Sequence, residues 1–186
     1  ALHLGGSNDL GYQNPIILTN DEFRFIVIEQ LNRIGIEPGA VLIEPEAKNT
    51  APAILSASIH SFKEDKDAIL LVAPSDHIIP NKSAFHKAIS IGLDSVMSGK
   101  LVNFGIKPTH AETGYGYLEL KNISFDCAVE VVNFKEKPSK TTAKKYLAEE
   151  KYYWNAGIFL FKAGDMIDAF KLHDNQMFFD VENALK

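Results

Sequence analysis

The sequence predicts an α/β domain, for three reasons. Residues 68–73 form an unbroken apolar run that breaks off at Pro74-Ser75-Asp76-His77, as expected of a short strand buried on both faces. As far as Ile106, such runs alternate with stretches of helical period. This β-α-β-α-β-α-β pattern implies a mainly parallel sheet with right-handed crossovers. The chain has 186 residues, 46% of them apolar and 23% charged, enough for one domain with a sizeable core. In open α/β sheets, ligands bind beyond the carboxyl ends of the strands. Asp76 stands at that place, where a carboxylate can hold a metal ion or an activated phosphate. It can equally cap the next turn, and the octapeptide alone leaves the two readings level.

The elements follow in order. Residues 1–14 contain Gly5-Gly6-Ser7-Asn8-Asp9 and read as a loop. Pro15–Leu18 is a short strand. Thr19 and Glu22 have capping-box spacing, and Phe23, Ile26, Val27, Leu31 and Ile34 make one helical stripe that Gly35 ends. Val41–Ile43 is the second strand, leaving through Glu44-Pro45. Asn49 or Thr50 caps a second helix with Pro52 in its first turn, running towards Phe62. The central strand comes next. A helix starting near Asn81 or Ser83 carries Phe85, Ala88, Ile89 and Val96 and closes at Gly99, and Leu101–Ile106 is a further strand. Beyond it stand a glycine-aromatic loop (Thr113–Tyr117), strands at Tyr117–Leu120 and Ala128–Phe134, a helix at Thr141–Glu149, a strand at Ile158–Phe161 and a helix over Met166–His173.

Composition excludes several classes. No run of about 18 apolar residues is present, so no membrane helix is expected. Net charge is −5 without a long basic run, which argues against a nucleic-acid partner. Cys127 is the single cysteine, which fits a reducing, cytoplasmic setting. The six histidines form no i, i+4 pair, so a structural zinc site is not expected. There is no Gly-x-Ser-x-Gly elbow, no phosphate-binding Gly-x-x-x-x-Gly-Lys loop and no dinucleotide fingerprint.

Polar residues remain at four strand ends: Glu44 to Thr50, Ser75 to His77, Glu136-Lys137 and Asn155. Singly, each has an ordinary explanation. Glu44-Pro45 can be a turn, Asn49-Thr50 only a helix cap, Glu136 and Lys137 a surface pair alternating faces of a strand, and Asn155 a turn residue. Together they put several polar groups on one rim of the sheet, and that favours a functional reading.

The same residues carry a family resemblance. Glu44–Ala53 (E-P-E-A-K-N-T-A-P-A), Val72–His77 (V-A-P-S-D-H), Phe104–Thr109 (F-G-I-K-P-T), Glu112–Tyr117 (E-T-G-Y-G-Y), Phe134–Pro138 (F-K-E-K-P) and Tyr153–Phe161 (Y-W-N-A-G-I-F-L-F) resemble, in order and at similar spacing, the mannose-1-phosphate guanylyltransferases. The resemblance runs from about Pro15 to about His173. It implies a Rossmann-like nucleotide-diphospho-sugar transferase fold with a mixed, mainly parallel central sheet, incomplete at both ends, in one partial domain over 1–186. It implies GTP and mannose 1-phosphate as substrates, GDP-mannose and pyrophosphate as products, magnesium as cofactor, and a homodimer as one possible assembly. By resemblance, Asp76 binds magnesium and Ser75 lies beside the nucleotide. Glu44, Asn49 and Thr50 line the guanine pocket. Gly114, Tyr115 and Gly116 approach the sugar by their backbone. Glu136 and Asn155 take sugar hydroxyls, and Lys137 offsets the sugar phosphate.

The family also carries a Gly-Gly-x-Gly-x-Arg loop after its first strand and a second metal-binding aspartate. Gly5–Asn8 lacks the arginine, and Asp180 and Glu182 are poor replacements for the aspartate. A missing first strand would leave two interior strand edges unpaired. The expectation is therefore a partial view of a longer enzyme, with the 186 residues alone inactive. Two alternatives stand beside it: a nucleotidyltransferase for another base or sugar, and a non-catalytic sugar-nucleotide-binding subunit that regulates an active paralogue. No part of the chain resembles the C-terminal isomerase barrel found in some longer relatives.

Overall fold

The computed structural model describes residues 2–4, 10–46, 49–124 and 126–186. They divide into two compact units, Ala1–Leu71 with Phe161–Lys186, and Val72–Leu160.

In the first unit, β1 (Leu2–Leu4) and β2 (Leu10–Tyr12) pair antiparallel, and Leu2 also pairs with Ile69 of β5 (Ile69–Val72). The loop expected over residues 1–14 is thus corrected to a short ladder. An apolar residue on each side of a Gly-rich stretch gave no alternation from which to read it. The Gly5–Asn8 stretch itself lies outside the described residues. β3 (Ile16–Asn20) and β4 (Ala40–Glu44) form a separate two-stranded parallel sheet in continuous register from Ile16↔Ala40 to Asn20↔Glu44.

Between them the helix start differs from the expected capping box. The strand runs through Thr19, and Asn20 caps instead, its Oδ1 accepting from Phe23 N at 3.1 Å. A 3-10 turn over Asp21–Phe23 leads into α1 (Arg24–Arg33). Asn is among the better caps, and the cap goes to the residue whose backbone turns from extended to helical. Gly35 ends the helix as expected, at φ +71°. The apolar stripe is not buried: no residue of α1 is, and Phe23, Ile26 and Ile34 are about half exposed or more.

α2 (Thr50–Glu64), α5 (Ala163–His173) and α6 (Asn175–Ala184) supply this unit's core. Leu55, Ile59, Ile167 and Phe178 are buried together, with Phe62, Phe170 and Met177 against them. Small residues on α2 (Ala57, Ser58, Ser61) are buried as well. β5 behaves as its apolar run implies at Ile69 and Leu70, both nearly fully buried.

In the second unit, α3 (Lys82–Met97) starts and stops where the sequence says. Asn81 Oδ1 accepts from Ala84 N at 2.9 Å, and the chain turns at Gly99. β6 (Val102–Ile106), β7 (Tyr117–Leu120) and β8 (Val131–Lys135) join β9 (Tyr152–Lys162), most of which lies in this unit. β9 pairs antiparallel with β6 and with β7, and β7 with β8. Two boundaries shift from expectation. β8 begins at Val131 rather than Ala128. The strand expected over Ile158–Phe161 begins earlier, at Tyr152, as β9, an 11-residue strand. α4 (Lys140–Ala148), capped by Ser139 Oγ, covers one face, where Tyr117, Ala143, Tyr152 and Trp154 are buried together.

A partly buried ion pair ties β7 to the start of β9: Lys151 Nζ donates to Glu119 Oε1 at 2.7 Å. That bond holds the Glu119 carboxyl below the ordinary carboxylate range and raises the Lys151 ammonium. A carboxyl whose folded value is depressed stabilises above its unfolded value, and the contribution is lost as pH falls through the folded one. The melting temperature of the wild type should therefore drop more steeply between about pH 5 and 3 than that of Lys151→Met. Parallel curves would show that the pair does nothing for the fold.

Among the described residues no helix is long and apolar enough to cross a membrane.

Candidate active site

The expected site residues fall in both units. Glu44, Asn49 and Thr50 belong to the first. Glu44 ends β4, and Thr50 opens α2. Asn49 occupies the N-cap position, yet its side chain makes no capping hydrogen bond, and its backbone sits at φ 60°, ψ −170°. That region is nearly exclusive to glycine and costs about 1–3 kcal/mol elsewhere. A residue there only to cap would adopt the extended conformation that lets its oxygen reach the helix. The helix-cap explanation of Asn49 fails on both counts, and its amide is left for another partner.

The remaining residues belong to the second unit. Ser75 and Asp76 form an exposed turn just after β5. The Asp76 carboxylate has no hydrogen bond or ion pair with another described residue, so it caps nothing. No group of three or more metal-ligating side chains occurs among the described residues.

Glu136 and Lys137 were expected to alternate faces of a strand. Instead β8 stops at Lys135, and both lie in the turn beyond it, Lys137 at φ 38°. Pro138 cannot donate to a ladder, and Lys137 before it has a positive φ that takes the chain out of the strand. Lys137 Nζ lies 3.5 Å from Glu136 Oε1, both side chains exposed.

Asn155 is not a turn residue but an interior position of β9, opposite Gly105 of β6. Its N donates to Gly116 O at 2.8 Å, and its Oδ1 accepts from Gly157 N at 3.0 Å. The β6–β9 register shifts by two residues between Asn103↔Phe159 and Gly105↔Asn155, so β9 bulges there. Gly157 takes φ +66° within the bulge, which a side chain would resist. A Cβ on Gly157 would stand 3.5 Å from Pro74 Cγ, and one on Gly116 would stand 3.1 Å from Glu136 Oε2. The unit thus brings Gly116, Glu136 and Asn155 together, with Pro74 of the Asp76 turn beside the bulge.

The loop before β7 has its own scaffold, which the sequence reading passed over. Glu112 Oε1 accepts from Thr113 N at 2.7 Å and from Gly114 N at 2.8 Å. These two amides, and then His110, hold the Glu112 carboxyl below the ordinary range. The fully buried Tyr117 grips the same residue: its hydroxyl accepts from Glu112 N and donates to Glu112 O. His110 and Tyr115 each set an edge against Trp154, at 4.9 and 5.4 Å between centroids. The available signal was the spacing: a carboxylate two residues before a glycine can accept the amides of a tight turn.

A separate concavity of about 980 Å³ lies between α3, β6 and the segment before β8, lined by Ala88, Val102, Asn103, Leu118, Val131 and Tyr153 among others. None of the expected site residues lines it.

The family model described as nucleotidyl transferase matches residues 6–178. The chain belongs to the nucleotidyl transferase family. The chain is 46% identical over 154 residues to the xanthan biosynthesis protein XanB of Xanthomonas campestris pv. campestris (strain B100), covering 83% of this chain and 32% of that one. It is 41% identical over 172 residues to a putative mannose-1-phosphate guanylyltransferase of Vibrio cholerae serotype O1, covering 92% of this chain and 37% of that one. The chain spans about a third of the length of these curated relatives. Among solved structures, one described as mannose-6-phosphate isomerase from Helicobacter pylori superposes with a TM-score of 0.82 at 32% identity, covering 92% of this chain and 65% of that one. The chain therefore has the expected Rossmann-like mixed α/β fold. Of the described strand pairings, β3–β4 is parallel and those within the second unit are antiparallel.

Proposed function

We propose that this chain forms part of a mannose-1-phosphate guanylyltransferase, a single nucleotidyltransferase domain that moves GMP from GTP to mannose 1-phosphate. One observation carries the reading. Gly116 before β7, Glu136 after β8 and Asn155 within β9 are brought together, the Asn155 backbone N bonded to Gly116 O and the Glu136 carboxylate facing the bare Gly116 α-carbon. That set suits a polyhydroxylated ligand, whose hydroxyls both donate and accept. The names of the relatives support the choice of sugar and base.

In this reading Asn155 and Glu136 hold the sugar, and Gly116 lets the ligand approach the backbone. Lys137 lies next to Glu136 and draws the sugar phosphate. Glu44, Asn49 and Thr50 take the guanine, a carboxylate or amide oxygen accepting its N1–H and N2–H. Asp76 fits a magnesium ion: its carboxylate is exposed and unpaired, and magnesium takes one or two carboxylates with phosphate oxygens completing the shell. When bound, the ion neutralises phosphate charge. The phosphate oxygen of the sugar attacks the α-phosphorus, the new P–O bond forms, and the bond to the leaving pyrophosphate breaks in line. Such a transfer needs positioning and charge neutralisation rather than a protein nucleophile.

The test incubates the full-length gene product with magnesium, each of GTP, UTP and dTTP, and mannose or glucose 1-phosphate, and identifies products by mass. GDP-mannose should form faster than every other sugar nucleotide. A different preferred pair would reassign the substrates. GDP-mannose binding by calorimetry without any turnover would assign the regulatory subunit instead.

A further inference from the structure

We propose that Glu112 is a positioning residue for the sugar 1-phosphate: it holds the Gly114–Gly116 backbone in the conformation that receives the sugar, without touching the sugar itself. This rests on the reading above. The geometry points to it in three ways. The carboxylate bridges two consecutive amides of the loop, Thr113 N and Gly114 N, through a single oxygen at 2.7 and 2.8 Å. It fills the space a side chain at residue 114 would need, because a Cβ there would stand 3.3 Å from Glu112 Oε1. It is itself fixed from the buried side, since the Tyr117 hydroxyl bonds both the N and the O of residue 112.

The loop so held ends at Gly116, whose carbonyl accepts the Asn155 amide and whose α-carbon faces the Glu136 carboxylate. A shift at Gly114 is therefore passed to the place where the sugar groups gather. The second oxygen of Glu112 faces His110 Nε2 at 3.3 Å, and His110 packs on Trp154, which also backs Tyr115. Hydrogen bonds to a charged acceptor are about twice as strong as neutral ones. The ionised carboxylate can thus keep a half-exposed loop in one shape where a neutral side chain would let it fluctuate.

The experiment compares Glu112→Ala and Glu112→Gln with wild type in the full-length gene product. Readouts are the KM for each substrate, kcat, the melting temperature, and hydrogen exchange of the loop amides. Glu112→Ala should raise the KM for the sugar 1-phosphate about tenfold, the loss of one charge-assisted bond, while the KM for the nucleotide stays within about twofold. Glu112→Gln keeps an acceptor oxygen and should lie between. Exchange at Thr113 and Gly114 should quicken in the same order. An unchanged sugar KM in Glu112→Ala overturns the proposal. So does a uniform fall in both affinities, kcat and melting temperature that Gln does not relieve, because that is a folding effect. If wild type turns over no sugar 1-phosphate, the transferase reading has failed. Exchange then decides, and unchanged protection in Glu112→Ala overturns the positioning role.

Discussion

Asp76→Asn is expected to lower kcat for GDP-mannose formation by about a hundredfold or more, the scale of losing one electrostatic stabiliser of a developing charge. The melting temperature should hardly move. The two parts of this expectation have separate grounds. Asp76 lies in an exposed turn and bonds to no other described residue, and surface substitutions away from such contacts stay within about 0.5 kcal/mol. Asn keeps the size and turn preference of Asp, so local geometry survives. What it loses is the negative charge, and only a ligand of opposite charge registers that loss. If Asp76 merely shaped the turn, Asn would be among the best replacements and kcat would be untouched. Turnover of Asp76→Asn within about twofold of wild type, at saturating magnesium, would remove this residue from the site.

The parts of the fold legible in the sequence are those whose cause is local. Asn81 and Gly99 bracket α3 because a cap side chain and a left-handed terminus act within four residues of where they stand. The apolar run before Pro74 reads as a strand because burial on both faces leaves no polar position. The failures have distant causes. Tyr152–Lys162 is one strand because β6 and β7 pair with its first half, and those partners come from 30 to 60 residues earlier. Asn155-Ala156-Gly157 alone looks like a turn, and only the partner strand makes it a bulge. The α1 stripe has the right period, yet period states which residues would face a neighbour, not that a neighbour packs there.

The site divides along the same line. Asp76 could be picked from its place after a strand. Asn49 could be picked too, but its backbone at φ 60°, ψ −170° and the missing capping bond of its side chain are not displayed by a sequence. Glu136 and Lys137 stand beyond the end of β8, and the positive φ of Lys137 that takes the chain out of the strand is not written in the residue types. Glu112 shows in the sequence only as the first letter of E-T-G-Y-G-Y. Its two amide bonds exist because the loop folds back on it, with Tyr117 five residues on closing the far side.

Gly116→Ala should cut kcat/KM for mannose 1-phosphate by about a hundredfold, a misplacement effect, at little cost in stability. A Cβ on residue 116 would stand 2.7 Å from Phe134 Cζ and 3.1 Å from Glu136 Oε2. The first approach is too close to survive, so something moves. Phe134 is 46% exposed, and its ring can swing towards solvent at well below the roughly 1–3 kcal/mol of overpacking a sealed core. The Glu136 side chain is exposed too and can give way, but moving its carboxylate moves the group assigned to the sugar hydroxyls. The KM for GTP should stay within about twofold of wild type. The double variant Gly116→Ala/Phe134→Ala separates the two contacts. It removes the ring but leaves the methyl against the carboxylate, so it should remain as impaired as Gly116→Ala alone. Full recovery in the double variant would place the defect in the ring and release Glu136 from its assignment. Gly116→Ala with unchanged kcat/KM would mean that the sugar never comes near this backbone.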